Sequence, residues 1–321
     1  MIVITGAAGF IGSCLAGKLN REGHSDLVLV DDFASHEKMK NLAGKQFREQ
    51  VNRDTFFDWF TENHSHVSFV FHLGARTNTA EQNKAVFDRL NLQYSKAIWQ
   101  ACTTHNIPLV YASSAATYGA GEHGYDDNHG VITHLKPLNA YGQSKHAFDL
   151  WVLQQAAQPP FWAGLKFFNV YGPNEYHKQR MASAILHLFR EAENRGEVSL
   201  FRSHRPDVAH GEQRRDFIYI KDIMNVCHYL MEQQRHPGIY NLGTGRANTF
   251  LELAEAIFEA IGKKPQINFI DTPENIRDNY QYFTQANMDK LLTTGYPEKF
   301  YSLRAGIDDY INQYLKRSSY Y

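Results

Sequence analysis

The chain has 321 residues, 43% of them hydrophobic and 21% charged, enough to bury one large core or two intergrown ones. Its 33 basic residues stand against 34 acidic ones, a formal net charge of -1, which argues against nucleic acid or a membrane surface as the main partner. No run approaches the apolar length of a membrane-spanning helix and the first residues read directly as a strand, so a cytoplasmic protein is expected.

In chain order, "MIVIT" is a short apolar strand ending at Gly6, Phe10 to Leu19 has helical spacing, and "DLVLV" is a second buried strand closed by Asp31 and Asp32. Between the first strand and helix lies "GAAGFIG", with Gly6, Gly9 and Gly12. Such glycines let the backbone approach a pyrophosphate at a helix N-terminus, where unpaired N–H groups favour negative charge. With Asp31 standing 19 residues past Gly12, a dinucleotide site is expected rather than a merely tight turn. Asp31 can accept from the adenosine ribose, which suits NAD, and Asp32 adds to the repulsion of a 2'-phosphate. Lys38 and Arg53 point the other way, toward NADP, unless they are solvated surface charges; both dinucleotides stay open.

Further strands are expected over 67–75, 107–114 and 164–170, with helical segments between them. Uninterrupted apolar strands alternating with helices indicate a parallel sheet covered on both faces. "YGQSK" puts Tyr141 and Lys145 four residues apart, on one helix face. An adjacent ammonium is expected to lower the phenol's pKa from its ordinary ~10 and make it a usable base. Ser114, at the end of a strand, can bond the same substrate oxygen. Beyond residue 170 the pattern loosens through a polar loop, 203–215, and returns to strand at "DFIYI". A smaller domain is expected to insert there, and the terminal "RSSYY" is expected to fray. Cys14, Cys102 and Cys227 have no paired spacing, and His204 and His210 lack a surrounding ligand set, so no disulfide and no metal site is assigned.

Together "GAAGFIG", "YASSAATYG", "NAYGQSK", "FNVYGP", "RDFIYIKD" and "YNLGTGR" resemble the extended short-chain dehydrogenase/reductase family of nucleotide-sugar enzymes, over nearly the whole chain. "LNLQYSKAIWQAC", "EYHKQRMAS" and "YQYFTQAN" resemble more narrowly its branch of epimerases acting at C6 of an ADP-linked heptose for the lipopolysaccharide inner core. The resemblance implies a Rossmann-type doubly wound α/β domain, 1–168 plus about 216–246, and an interleaved α/β substrate domain, about 169–215 and 247–321. It further implies a tightly held NADP, with NAD as the alternative, an ADP-heptose substrate, and a homo-oligomer with a pentamer as the family's precedent.

Matched position by position, the resemblance makes Ser114, Tyr141, Lys145 and Lys178 catalytic. The glycine turn with Phe10 and Ile11, then Asp31, Asp32, Lys38, Arg53, Leu73, Gly74, Ala75, Val170, Lys145 and Lys178 would meet the dinucleotide, and Asn91 would steady the backbone beside it. Asn169, Arg180, His187, Phe201, Arg215 and Tyr280 would meet the substrate with Ser114. Asp32 stands where the family usually has an uncharged residue, and the 203–214 loop is longer than its pattern. Inversion at C6 needs a second proton donor on the far side of the rotated carbonyl. Lys178 suits that role, with neutralisation of the ADP diphosphate as the plainer alternative. A 4,6-dehydratase would need an Asp-Glu pair where the chain has Ala115 and Ala116. A UDP-hexose 4-epimerase and a non-catalytic dinucleotide sensor are the other readings, the latter disfavoured because Tyr141 and Lys145 are both present.

Overall fold

The computed structural model describes residues 1–78, 81, 83–277 and 280–321. Strands β1 (Ile2–Thr5), β2 (Leu27–Asp31), β3 (Glu49–Asn52), β4 (Phe69–His72), β5 (Leu109–Ser114), β6 (Trp162–Phe167) and β10 (Gly238–Leu242) form one sheet. Its order is β3-β2-β1-β4-β5-β6-β10, and every pairing in it is parallel. β1, β2, β4 and β6 are buried along their whole length, as strands covered on both faces must be. The order reverses between β1 and β4, the switch point at whose carboxyl ends such sheets hold ligands.

Helices α1 (Phe10–Arg21), α2 (Phe56–Asn63), α3 (Tyr94–Thr104), α4 (Ala140–Leu153) and α6 (Ile220–Gln233) flank the sheet, whereas α5 (Ala184–Arg195), α7 (Phe250–Ile261) and α8 (Leu303–Asp309) form a group in which α7 packs on both α5 and α8. α4 opens where Asn139 accepts from the Gly142 amide at 2.8 Å, and α7 has a full capping box between Thr249 and Glu252, two devices that satisfy a helix's first amides. α5 stops at Gly196, whose φ of 76° closes the helix in the left-handed region.

The strand expected over 164–170 is two strands in different sheets. β6 ends at Phe167, the Phe168 amide reaches Leu242 O at 3.1 Å, and the Val170 amide folds back to Phe168 O at 2.9 Å. β7 (Asn169–Tyr171) then joins β9 (Arg214–Tyr219) in parallel, and β11 (Ala247–Thr249) pairs β9 antiparallel. β8 (Val198–Phe201) and β12 (Ile267–Ile270) make a separate parallel pair.

The C-terminal segment does not fray. The Arg21 guanidinium lies 3.6 Å from the Tyr321 ring centre, Lys45 Nζ donates to Tyr321 O at 2.8 Å, and the Tyr321 amide donates to Asn174 Oδ1 at 2.9 Å. Tyr176 OH also donates to Ser319 O at 2.9 Å. Aromatic area and a stacked cation outweigh the chain entropy that polar composition alone suggested. Cys14, Cys102 and Cys227 are buried thiols, and no helix among the described residues is long and apolar enough to cross a membrane.

Candidate active site

A cavity of ≈ 860 Å³ opens at the carboxyl ends of β1, β2 and β4, lined by the Gly6–Gly12 turn, Asp31, Asp32, Lys38, Arg53, the 73–75 turn, His177 and Lys178. The turn has room for backbone only. A Cβ on Gly6, which sits at φ +68°, would lie 2.7 Å from Gly74 Cα, and one on Gly12 would lie 2.3 Å from Gly6 O. Asp31 accepts from the Ala8 amide at 3.0 Å and the Asp32 amide at 2.7 Å, which fixes its carboxylate at the ribose position. Lys38 and Arg53 are not solvated surface charges. Lys38 Nζ pairs with Asp31 Oδ1 at 2.5 Å and Arg53 Nη2 with Asp32 Oδ2 at 3.1 Å. Arg53 Nε, and Asn41 Oδ1 on a side chain that bonds Ala8 O and His177, are buried with no hydrogen-bond partner among the described residues, and such atoms call for a ligand or solvent. Glycine cradle, ribose acid and orphaned polar atoms together fit a dinucleotide.

Behind this cavity a polar network ties the switch-point turn together. Thr5 Oγ1 bonds His72 Nδ1 at 2.7 Å and accepts from the Gly74 amide at 3.1 Å. His72 Nε2 bonds Ser95 Oγ at 2.8 Å, and Ser95 Oγ donates to Asn91 O at 2.5 Å. Burial lowers the His72 pKa to about 3, with the Lys145 charge adding to it. Asn91 lies in a π-helical stretch, Asp88–Gln93, a rare geometry that re-aims one residue. Its carboxamide accepts from Arg76 N at 2.7 Å and donates to Arg76 O and Ser144 Oγ, both at 3.0 Å. Ser144 Oγ in turn donates to Tyr141 O at 2.7 Å. One side chain thus joins the turn after β4 to the helix of Tyr141.

Tyr141, partly exposed on the first turn of α4, and Ser114, at the tip of β5, come together, with a hydrogen bond from Ser114 acting on the phenol. The expected lowering of that phenol's pKa is not what the chain alone produces. Burial raises it, Ser114 opposes the rise, and the Asp149 charge adds to it. Lys145 is buried on the same helix, and its ammonium donates to Ala112 O at 2.8 Å. That bond spends the cation on a β5 carbonyl, and burial brings its pKa down to about 8 while Asp149 pulls upward. Ser114, Tyr141, Lys145, Asn91 and Val170 lie outside the cavity lining. Val170 is half-buried on β7.

Lys178 is held on a tight loop between β7 and α5. Buried Glu175 anchors it, accepting from Ser183 N at 2.5 Å, Ser183 Oγ at 2.7 Å and Tyr310 OH at 3.1 Å. The Lys178 ammonium sits 5.4 Å over the Phe10 ring. Burial lowers its pKa, against the pull of Glu175. His177 packs beside it with Nδ1 3.2 Å from Asn41 Nδ2. Burial, Lys38 and Lys178 bring the imidazole down to about 4, so it is neutral at physiological pH.

Of the residues expected to meet substrate, Phe201 and Tyr280 meet edge to face at 6.3 Å, and the Arg215 guanidinium lies 5.4 Å over Tyr280. Arg215 is buried and donates to Arg214 O at 2.8 Å and to Gln281 O. Asn169 Nδ2 donates to Asp216 O at 3.2 Å and Thr284 Oγ1 at 3.3 Å. His187 is half-buried on α5, which packs on β8, and Arg180 is exposed on the Lys178 loop. In the 203–215 loop, His210 Nδ1 accepts from the Ser203 amide at 3.0 Å, a loop-closing bond.

Residues 2–243 match the NAD dependent epimerase/dehydratase family. The chain belongs to that family. Its cofactor is accordingly a nicotinamide dinucleotide. The chain is 40% identical over 331 residues to an ADP-L-glycero-D-manno-heptose-6-epimerase of Fusobacterium nucleatum, with 100% of both chains covered. It is 43% identical to one from Nitratidesulfovibrio vulgaris, with 98% of each covered. Among solved structures, a Helicobacter pylori protein of the same name superposes with a TM-score of 0.81 at 30% identity, covering 97% of this chain and 95% of that one. A Thermus thermophilus UDP-glucose 4-epimerase in complex with NAD gives 0.76 at 25% identity over 97% of each chain.

Proposed function

We propose that the protein inverts C6 of an ADP-linked glycero-manno-heptose by transient oxidation and re-reduction, for the lipopolysaccharide core. The observation that carries this reading is that Lys178 lines the dinucleotide cavity from a loop separate from the helix of Tyr141. Two acid/base groups on separate elements suit a carbonyl whose oxygen moves between them. The Gly6–Gly12 turn, Asp31, Lys38 and Arg53 would hold the dinucleotide, which would supply the hydride acceptor and donor for C6. Tyr141 Oη accepts the hydroxyl proton of one epimer, with Ser114 Oγ bonding the same oxygen and Lys145 favouring phenolate. Lys178 Nζ serves the oxygen of the other epimer, and its lowered pKa brings it nearer a proton-transfer range. Phe201, Arg215 and Tyr280 bind the nucleotide half, Arg215 as a buried cation against the diphosphate, and Asn169, Arg180 and His187 complete the substrate contacts.

NADP is the proposed cofactor, with NAD accepted more weakly, because Lys38 and Arg53 both line the ribose end. Each cation is paired with an acid, so a 2'-phosphate would exchange one anionic partner for another. The enzyme works in the cytoplasm as a homo-oligomer. The test is epimerisation of ADP-heptose in deuterium oxide. Direct oxidation keeps the C6 hydrogen out of water, so the inverted carbon stays unlabelled; deuterium at C6 would overturn the mechanism. Inhibition by ADP well below the concentration of UDP needed separates this substrate from a UDP-hexose.

A further inference from the structure

Behind the Tyr141 helix lies an ion pair that the reaction as described does not use. Lys166, on β6, and Asp149, on α4, are fully buried with Nζ and Oδ2 at 2.6 Å. The carboxylate also accepts from Ser113 Oγ at 2.6 Å and Tyr111 OH at 3.1 Å, and Lys166 donates to Thr117 Oγ1 at 2.8 Å. These partners bracket Ser114 on β5 and in the turn after it. Asp149 is four residues beyond Lys145 on the same helix, so the two share one face. Burying an ion pair is costly, and replacing one with apolar groups is often neutral or stabilising. A pair kept at this position therefore invites a role beyond packing.

We infer that Asp149 and Lys166 are positioning residues for the oxidation chemistry, a balanced pair of charges that sets the electrostatic potential at Lys145 and Tyr141 while fixing the strand end that carries Ser114. This rests on Tyr141 and Lys145 being the proposed proton-transfer pair. The charged and titratable groups around them are His72 from β4, Tyr111 from β5, Tyr118 in the turn after it with its ring 5.3 Å from Lys166 Nζ, Lys166 from β6, and His146 and Asp149 from α4 itself, with His129 and Lys290 farther out beside the pair. Asp149 acts upward on both Lys145 and Tyr141. His72 is neutral in its hydrogen-bonded site, which leaves Asp149 as the anion facing the pair among the described residues named here. Removing either member of the pair unbalances the other, and the two removals have opposite signs.

The experiment uses the dinucleotide-loaded enzyme and follows reduction of the bound cofactor by substrate in rapid mixing, from pH 5.5 to 9.5. Asp149→Asn should move the rising limb of the rate to lower pH and Lys166→Gln to higher pH, each by about 1–3 units, the range for a nearby charge. The double variant should return the limb to within about half a unit of the parent. Asp149→Asn keeps the outline of the side chain but turns one acceptor into a donor, and Lys166→Gln is one atom shorter, so the fold of each is checked by circular dichroism, with saturating dinucleotide favouring the folded state. If one single variant does not fold, the sign of the other decides. If neither folds, Asp149→Glu, which keeps the charge but displaces it, should lower kcat at least tenfold at unchanged KM; unchanged kcat overturns the inference. Loss of thermal stability with an unmoved pH profile, or shifts of the same sign, would also overturn it and leave a structural pair. Tyr141→Phe is run in parallel. Wild-type turnover by that variant defeats the assignment of Tyr141 itself, whereas a dead Tyr141→Phe beside unmoved Asp149 and Lys166 profiles defeats only the inference.

Discussion

At the scale of single residues, the proposed chemistry turns on two proton-transfer groups and two cations. Tyr141→Phe removes one hydroxyl and should lower kcat roughly a hundredfold to ten-thousandfold with fold and dinucleotide binding retained. Steady-state turnover and the absorbance of bound cofactor check this together. Lys178→Met keeps length but cannot donate a proton. It should abolish cofactor reduction by one C6 epimer far more than by the other, as rapid mixing would show, whereas an equal loss with both would make Lys178 a phosphate ligand. Mass spectrometry of the dinucleotide released on denaturation should find NADP; NAD alone would mean that Asp31 and Asp32 govern the ribose end and that Lys38 and Arg53 serve only to neutralise them. The glycine turn and the Tyr141–Lys145 spacing are legible in the sequence because both are local, set by one turn of chain or helix. The Asp31–Lys38 and Asp32–Arg53 pairs are also near in sequence or register. What hid them was rotamer choice, since a lysine seven residues beyond an acid can equally well face water.

At the scale of elements, the helix of Tyr141 and the turn after β4 depend on Asn91, whose three hydrogen bonds leave neither side of its amide idle. Asn91→Ala would remove the protein partner of the Arg76 backbone and one of the two bonds of the Ser144 hydroxyl, which keeps its bond to Tyr141 O, at a cost of about 1–3 kcal/mol for a buried group left unsatisfied. Both the thermal midpoint and kcat should fall, and a variant with unchanged kcat would show that the link does not matter to Tyr141. The π-helical geometry that aims Asn91 leaves no simple trace in residue pattern, because its extra residue per turn is set by what the helix packs against. The same limit explains the divided strand at 164–171. "GLKFFNV" has no proline or internal glycine to break it, and only the pairing of Phe168 with Leu242, a contact across the fold, ends one strand and starts another. Strand composition is local, whereas sheet membership is a long-range property.

At the scale of the whole molecule, buried imidazoles set the response to acid. His72 has its pKa lowered to about 3, and His129 and His177 to about 4, in each case chiefly by burial. The unfolded chain takes up these protons near pH 6.5 while the folded chain resists, so stability falls as pH drops from about 6.5 to 4. Asp222, raised to about 7 by burial, has the opposite sign, since its folded carboxyl holds a proton that the unfolded chain releases above about 4. Burial raises Asp127, Glu175 and Asp216 as well, which share the sign of Asp222, and lowers His146, so it is the imidazole contribution that acidification removes. The change in thermal midpoint from pH 7 to 4.5 should be less destabilising in His72→Gln than in the parent; an equal pH dependence in both would mean that this site opens before it charges. The docked tail carries a consequence of another kind. Tyr321 covers α1 at Gly17 and Arg21 and closes on the loop at Asn174, so the first helix is sealed by a segment that lies far downstream of it in the chain. Until that distant segment docks, the face of the first helix at Gly17 and Arg21 is open to chaperones and to neighbouring nascent chains.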